Sequence, residues 1–88
     1  MVISFTLARI HPQQDKEVYE VIKTFEEVKE VIITYGEYDI IIKVESKGLE
    51  ELDFFIFSKL RAIPGVVSTT TLLEARPVNV VGEGMERK

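Results

Sequence analysis

Val31-Ile32-Ile33-Thr34-Tyr35-Gly36-Glu37-Tyr38-Asp39-Ile40-Ile41-Ile42-Lys43-Val44, near the middle of the chain, decides how the rest is read. Two runs rich in β-branched residues flank a short segment bearing a glycine, the pattern of two strands joined by a hairpin. The spacing predicts strands over residues 28–35 and 38–45. Gly36 then takes the first central position of a tight type II′ turn, where positive φ costs glycine little. Asp39 opens the second strand, so a backbone glycine and a carboxylate stand together at an exposed sheet end.

Upstream, residues 2–10 alternate, with Ile3, Phe5 and Leu7 on one face and Ser4, Thr6 and Ala8 on the other. His11-Pro12 ends that strand, because proline has no N–H for a ladder. Residues 15–25 read as a helix with Val18, Val21, Ile22 and Phe25 on its apolar face and Asp15 at or near its N-cap. Downstream, Leu49, Leu52, Ile56, Leu60 and Ile63 form one stripe of a second helix over 49–63, stopped by Pro64-Gly65. Residues 66–75 are the fourth strand, and 76–88 read as a C-terminal tail whose Val78-Asn79-Val80-Val81 either pairs onto a sheet edge or stays loose. The spacing Ile22-x-x-Phe25-x-x-Val28 recurs as Leu60-x-x-Ile63-x-x-Val66. Two strand–helix–strand units joined by a hairpin make a βαββαβ ferredoxin-like plait: α+β, with a four-stranded antiparallel sheet and both helices on one face.

The strands are apolar on both sides. Ile40-Ile41-Ile42, Val31-Ile32-Ile33 and Leu72-Leu73 break the alternation of a sheet with one wet face. Two helices on one side leave the other as a contiguous apolar patch, the mark of an interface. A homodimer with its sheets face to face is the simplest way to cover it. Phe54 falls nearly opposite the buried stripe of the second helix, where it offers a second contact for a higher oligomer or stands as an ordinary exposed aromatic.

Eighty-eight residues make one domain. Such a chain buries only roughly 60–65% of its unfolded surface, which favours association. No cysteine is present, so disulfides, thiolate metal sites and a cysteine nucleophile are excluded. Fifteen acidic against eleven basic residues, net −4, argue against nucleic-acid binding, which needs a basic stripe. The N-terminus lacks a basic n-region, and no apolar run approaches the roughly 20 residues of a membrane span, so a cytoplasmic protein is expected.

Few side chains carry chemistry. His11 is the lone histidine and reads as a surface loop residue. The pairs Glu26-Glu27 and Glu50-Glu51 read as solvated helix faces, since no spacing converges their oxygens on one point. No metal, cofactor or catalytic residue is expected. Thr69 and Thr71 share one face of the fourth strand, and two hydroxyls on a mostly apolar face can hydrogen-bond a small polar ligand. Asp39 is by default a solvated strand-end carboxylate. Its functional reading is as partner to an ammonium, while backbone N–H groups around Gly36 receive a carboxylate. One hairpin then holds both halves of recognition for a free α-amino acid.

Tyr35-Gly36-Glu37-Tyr38-Asp39-Ile40-Ile41-Ile42-Lys43-Val44 resembles the G-x-Y-D-hydrophobic-K-V hairpin of the RAM (regulation of amino acid metabolism) domain, the C-terminal effector domain of Lrp/AsnC transcription regulators. Leu49-Glu50-Glu51-Leu52-Asp53 resembles the second helix of that family, and Ile63-Pro64-Gly65-Val66-Val67-Ser68-Thr69-Thr70-Thr71 its I-P-G-V-x-x-T-x-T strand entry. The match runs in order over residues 1–75. Family regulators carry an N-terminal helix-turn-helix, whereas this chain begins at its first strand, so it is similar to stand-alone RAM proteins. The resemblance implies an effector-binding and oligomerising module without DNA binding of its own. It implies dimers paired through their sheets as a dimeric α+β barrel, rings of dimers, and a free amino acid bound between dimers near the hairpin. Carried over by residue, the contacts are Tyr35, Gly36 and Asp39 from the hairpin and Thr69 and Thr71 from the fourth strand. Full-length Lrp/AsnC regulators are candidate partners in mixed oligomers. Two other readings compete: a small monooxygenase or isomerase on the same dimeric scaffold, with His11 or Asp39 as the only proton-transfer candidates, and a purely structural partner of related regulators.

Overall fold

The structure, a computed structural model, describes residues 1–76 and residue 78. Most of the tail expected over 76–88, including Asn79-Val80-Val81, lies outside the described residues. The elements are β1 (Val2–Ile10), a 3₁₀ turn (Pro12–Gln14), α1 (Asp15–Ile22), β2 (Val28–Ile33), β3 (Ile40–Ser46), α2 (Leu49–Phe54) with a π-helical continuation (Phe55–Leu60), and β4 (Val66–Leu73). The four strands form one antiparallel sheet in the order β2-β3-β1-β4. Both helices lie on one face, which is the ferredoxin-like plait.

Four boundaries differ from the sequence expectation. The hairpin is not a tight type II′ turn: Ile33 pairs with Ile40, and residues 34–39 form a six-residue loop. Tertiary contacts open it. Asp39 N–H donates to Ala8 O at 2.9 Å, and Asp39 O accepts the Thr34 N–H at 2.9 Å, so the end of the loop is held between β1 and the residue that follows β2. Gly36 keeps the expected positive φ, at +115°. Helix α1 stops at Ile22 rather than Phe25, where Thr24 Oγ1 donates back to Val21 O at 2.7 Å. Phe25 leaves the helix to meet Phe55 edge-on, with ring centroids 5.6 Å apart. The helix expected over 49–63 is α-helical for only its first turns, and Arg61 N–H reaches five residues back to Ile56 O at 2.9 Å. That wider turn buries Phe55 and Ile56 together with Leu52 and Leu60. Strand β4 ends at Leu73, two residues short of Ala75, with Glu74 N–H on Ile3 O at 2.9 Å.

Gly65 locks the entry to β4. Its φ is +104°, its carbonyl accepts the His11 N–H at 2.7 Å, and a Cβ would stand 2.9 Å from Gln14 Cβ and 3.0 Å from Val18 Cγ2. Only glycine lets this loop approach α1 so closely.

The core joins Val18 and Ile22 of α1, Leu52, Phe55, Ile56 and Leu60 of the second helical segment, and Ala8, Ile40, Ile42 and Val44 of the sheet. The face of β1 turned to the helices carries Ser4, Thr6 and Ala8, all fully buried, and Thr6 Oγ1 bonds Thr71 Oγ1 at 2.9 Å. The more apolar face, with Ile3, Phe5 and Leu7, is the one the helices leave bare. Cross-strand pairing adds Ile41, Leu72 and Ile32 to it. Ile32 is 45% and Leu72 56% exposed.

At the far end of the helical layer Lys59 Nζ contacts Glu27 Oε2 at 2.7 Å, with the Glu27 side chain only 14% exposed. Burial acts to raise the Glu27 pKa. The hydrogen bond from Lys59, the backbone N–H of Glu27 and the charges of Lys59 and Lys29 outweigh it and hold the carboxyl below its ordinary value. A depressed folded-state pKa gives stability that is present above the unfolded value and lost as pH falls through the folded one. Urea titrations from pH 6 down to pH 3 are therefore expected to show a steeper acid loss in the wild type than in Glu27→Gln.

Candidate functional site

The loop residues come first. Tyr35 is fully exposed, and no atom lies within 4 Å of where a Cβ on Gly36 would stand, so the backbone there is open to an incoming group. Asp39 is half-buried and engaged rather than solvated. Its Oδ2 accepts the Ile10 N–H at 2.7 Å, at the shift of register in β1, where that N–H falls out of the ladder with β4. Oδ1 has no hydrogen-bond partner among the described residues. Tyr19 of α1 is close by: burial, then the charges of Asp15 and Asp39, push its phenol pKa up.

Asp39 therefore has a structural role alongside any functional one. Asp39→Ala leaves the Ile10 N–H without its acceptor, at a cost of about 1–3 kcal/mol. A urea-denaturation midpoint lowered accordingly, with an unchanged slope, is the expected result.

Glu37 and Tyr38 turn toward the bare face of the sheet. Arg9 pairs with Glu37 Oε2 at 2.8 Å, and its guanidinium lies 5.3 Å from the centroid of the Tyr38 ring. The Tyr38 hydroxyl meets Thr70 Oγ1 at 3.2 Å. These contacts fold the loop back over the sheet. The sequence reading passed over Arg9 because nothing local ties it to the loop.

Thr69 and Thr71 lie elsewhere. They point to the helix side at the outer edge of the sheet, into a cleft of about 320 Å³ between β4 and the second helical segment. Leu52, Ile56 and Leu73 give it apolar walls, and Asp53 and Arg61 stand at it as charged groups. The Thr71 hydroxyl already bonds Thr6, while the Thr69 hydroxyl has no hydrogen bond among the described residues.

Within one protomer the expected site is thus divided. Asp39 lies across β1 from Thr69, through the Asp39–Ala8 hydrogen bond and the Ala8–Thr69 pair. Two strand spacings, about 10 Å, separate them. Tyr35 and Gly36 lie farther out, at the β2–β3 side. His11 is exposed, its Nδ1 a weak acceptor for Gln13 N–H at 3.4 Å. No cluster of three His, Asp or Glu side chains placed to hold a metal ion occurs among the described residues. No described helix is long and apolar enough to cross a membrane.

Comparison with known proteins adds four findings. The family model described as Lrp/AsnC ligand binding domain matches residues 1–78. The HTH-type transcriptional regulator FL11 of Pyrococcus abyssi is 33% identical over 72 residues, which are 82% of this chain and 47% of that protein. The chain thus spans about half the length of the curated relatives it matches. Among solved structures, the hypothetical protein PHS023 of Pyrococcus horikoshii superposes with a TM-score of 0.80 at 39% identity, over 88% of this chain and 93% of that one. A transcriptional regulator of Neisseria meningitidis, solved as its L-Met complex, superposes at 0.84 with 13% identity, over 96% of this chain and 56% of that one, a likeness of fold alone.

Proposed function

On the premise that this chain belongs to the Lrp/AsnC ligand-binding domain family, we propose that it is an amino-acid-responsive, oligomerising module of cytoplasmic transcription regulation and not an enzyme. The related proteins are named transcriptional regulators, which supports the regulatory part of this reading. The observation that carries the rest is the divided site. Tyr35, Gly36 and Asp39 present an open backbone and a free carboxylate oxygen at one side of the sheet, while Thr69 and Thr71 line a cleft at the other. A second copy brings the loop of one protomer to the β4 cleft of another.

The bare sheet face supports assembly independently. Ile3, Phe5, Leu7, Ile41 and Leu72 form a contiguous apolar surface, and a second copy of the same face covers it with like for like. Paired sheets give a dimeric α+β barrel, and dimers joined at the loop give a ring. The bound amino acid then shifts the balance between assembly states by its higher affinity for one of them. Mixed oligomers with full-length Lrp/AsnC regulators extend this to DNA occupancy. The L-Met complex of the Neisseria meningitidis regulator makes methionine the first ligand to try.

Isothermal titration of each of the twenty amino acids into the assembled protein tests the reading. Saturable heat with at least one of them is the expected result. No heat with any would leave a structural partner of related regulators as the function. The enzymatic alternative has only His11 and Asp39 to offer, and their surroundings hold an exposed ring and a carboxylate already bonded to backbone.

A further inference from the structure

We infer that the pocket between the start of β2, the end of β3 and the first turn of α2 is a second ligand site, and that it takes a small organic diamine. The pocket shares no lining residue with the 34–39 loop or the β4 cleft, and the inference does not rest on the effector-binding reading.

The fold gathers here what the sequence keeps apart. Glu27 O accepts the Glu45 N–H at 2.9 Å, which sets the entry of β2 against the end of β3. Glu51 Oε1 accepts the Lys47 N–H, which holds the first turn of α2 beside them. Glu26, Glu27, Glu45 and Glu51 thereby line one space of about 310 Å³, together with Ser46.

Surface carboxylates alone are ordinarily no more than solvated. Two buried atoms set this group apart. Ser46 is only 2% exposed, and its Oγ has no hydrogen-bond partner among the described residues. Glu27 gives Oε2 to Lys59, while its Oε1 is buried and has no partner among the described residues either. A buried polar atom left unmet costs about 1–3 kcal/mol, so two of them in the wall of one pocket call for a group that enters and bonds them. An ionised carboxylate only accepts, so that group must be a donor.

The class of donor follows from the rest of the lining. Four carboxylates against two lysines, Lys29 and Lys47, leave the pocket acidic and favour a cation. Both lysines are exposed, with long stems that let their charges move out into water. No three carboxylates converge as a metal ion requires among the described residues, so the charge must arrive with N–H groups of its own. An ammonium brings three. One ammonium is met in the wall by Glu27 Oε1 and Ser46 Oγ. Glu26 and Glu45 lie nearer solvent and meet a second one at the other end of a short alkyl chain.

Calorimetric titration of the full chain with 1,4-diaminobutane, butylamine and L-ornithine, at matched chloride, is the test. Saturable heat is expected with the diamine. Butylamine lacks the second ammonium, and ornithine is the same diamine with a carboxylate added against an acidic lining, so both are expected to bind more weakly. Ser46→Ala weakens the diamine about tenfold, the loss of one hydrogen bond to a charged group, and leaves the Lys59–Glu27 pair in place. Glu27→Gln weakens it by about tenfold to a hundredfold. Because Glu27 also anchors Lys59, Ser46→Ala with an unchanged thermal melt is the deciding variant. Amide shifts on adding the diamine are expected at residues 26–29 and 45–51. The pocket is lined within one chain, so the monomeric variant Phe5→Asp keeps the wild-type affinity for the diamine. Absence of saturable heat with the diamine overturns the inference and leaves water as the occupant of the pocket. Unchanged affinity in both Ser46→Ala and Glu27→Gln overturns it as well. Butylamine binding as tightly as the diamine would reduce the site to one for a single ammonium, such as a lysine side chain, and ornithine binding more tightly would make it a reader of amino acids; either result overturns the diamine assignment. The amino-acid reading of the loop and cleft stands or falls on its own titrations.

Discussion

Phe5→Asp is expected to turn an assembled protein into a folded monomer. Phe5 sits at the centre of the bare sheet face, with Ile3 and Leu7 along β1 and Lys43 and Leu72 across from it on β3 and β4. Burying a phenylalanine side chain is worth about 1.5–3 kcal/mol. In a two-fold interface each substitution acts twice, and two uncompensated carboxylates enter the contact as well. Every 1.4 kcal/mol is about a tenfold change in dissociation constant, so a loss of some hundredfold to ten-thousandfold follows. The fold itself is spared, because the new carboxylate faces solvent beside Lys43 in the free protomer. Sedimentation should show the mass fall to one chain while circular dichroism stays unchanged. A variant that keeps the wild-type mass would mean that this face is not the interface.

Phe55→Ala should have the largest effect on stability. Phe55 is fully buried, meets Phe25 edge-on, and stands where the α-helical turns give way to the π-helical segment. Truncation of a buried phenylalanine costs about 3–5 kcal/mol. For a domain of this size total stability is about 4–13 kcal/mol, so roughly a quarter or more is removed by one side chain. The expected signature is a urea midpoint lowered in proportion, with little change in slope. A loss below about 1 kcal/mol would show that the surrounding side chains collapse into the space, contrary to the close packing described.

The order of elements was legible because hydrophobic period and breakers agree along the chain. Val2 to Ile10 alternates and is the first strand as read, and Pro64-Gly65 stops the second helix. The loop at 34–39 was not legible in its length. Local propensity allows a tight turn at Gly36, and the hydrogen bonds of Asp39 to Ala8 and Ile10 decide against it from far away in sequence. The π-helical turn is hidden for a similar reason: Leu52, Ile56, Leu60 and Ile63 fit a plain α-helical stripe, and burying Phe55 as well is what widens it.

Periodicity gave the two faces of β1 but not which one the helices cover. Simple amphipathicity would send Ile3, Phe5 and Leu7 inward, yet Ser4, Thr6 and Ala8 occupy the core side. The hydroxyls are tolerated there in part because Thr6 pairs with Thr71. The apolar side is the one the helices leave uncovered. As to the site, its individual residues could be picked out, but their separation across β1 could not, since it depends on strand order.

The central claim is that the loop of one protomer and the β4 cleft of another make one effector site. Calorimetric titration of L-methionine, and then of the remaining amino acids, into wild type and into the Phe5→Asp monomer tests it most directly. The account predicts saturable binding by the assembled wild type and no saturable heat from the monomer, although Tyr35, Gly36, Asp39, Thr69 and Thr71 are all intact in it. Equal affinity in the two would contradict it, and would place a complete site within a single chain.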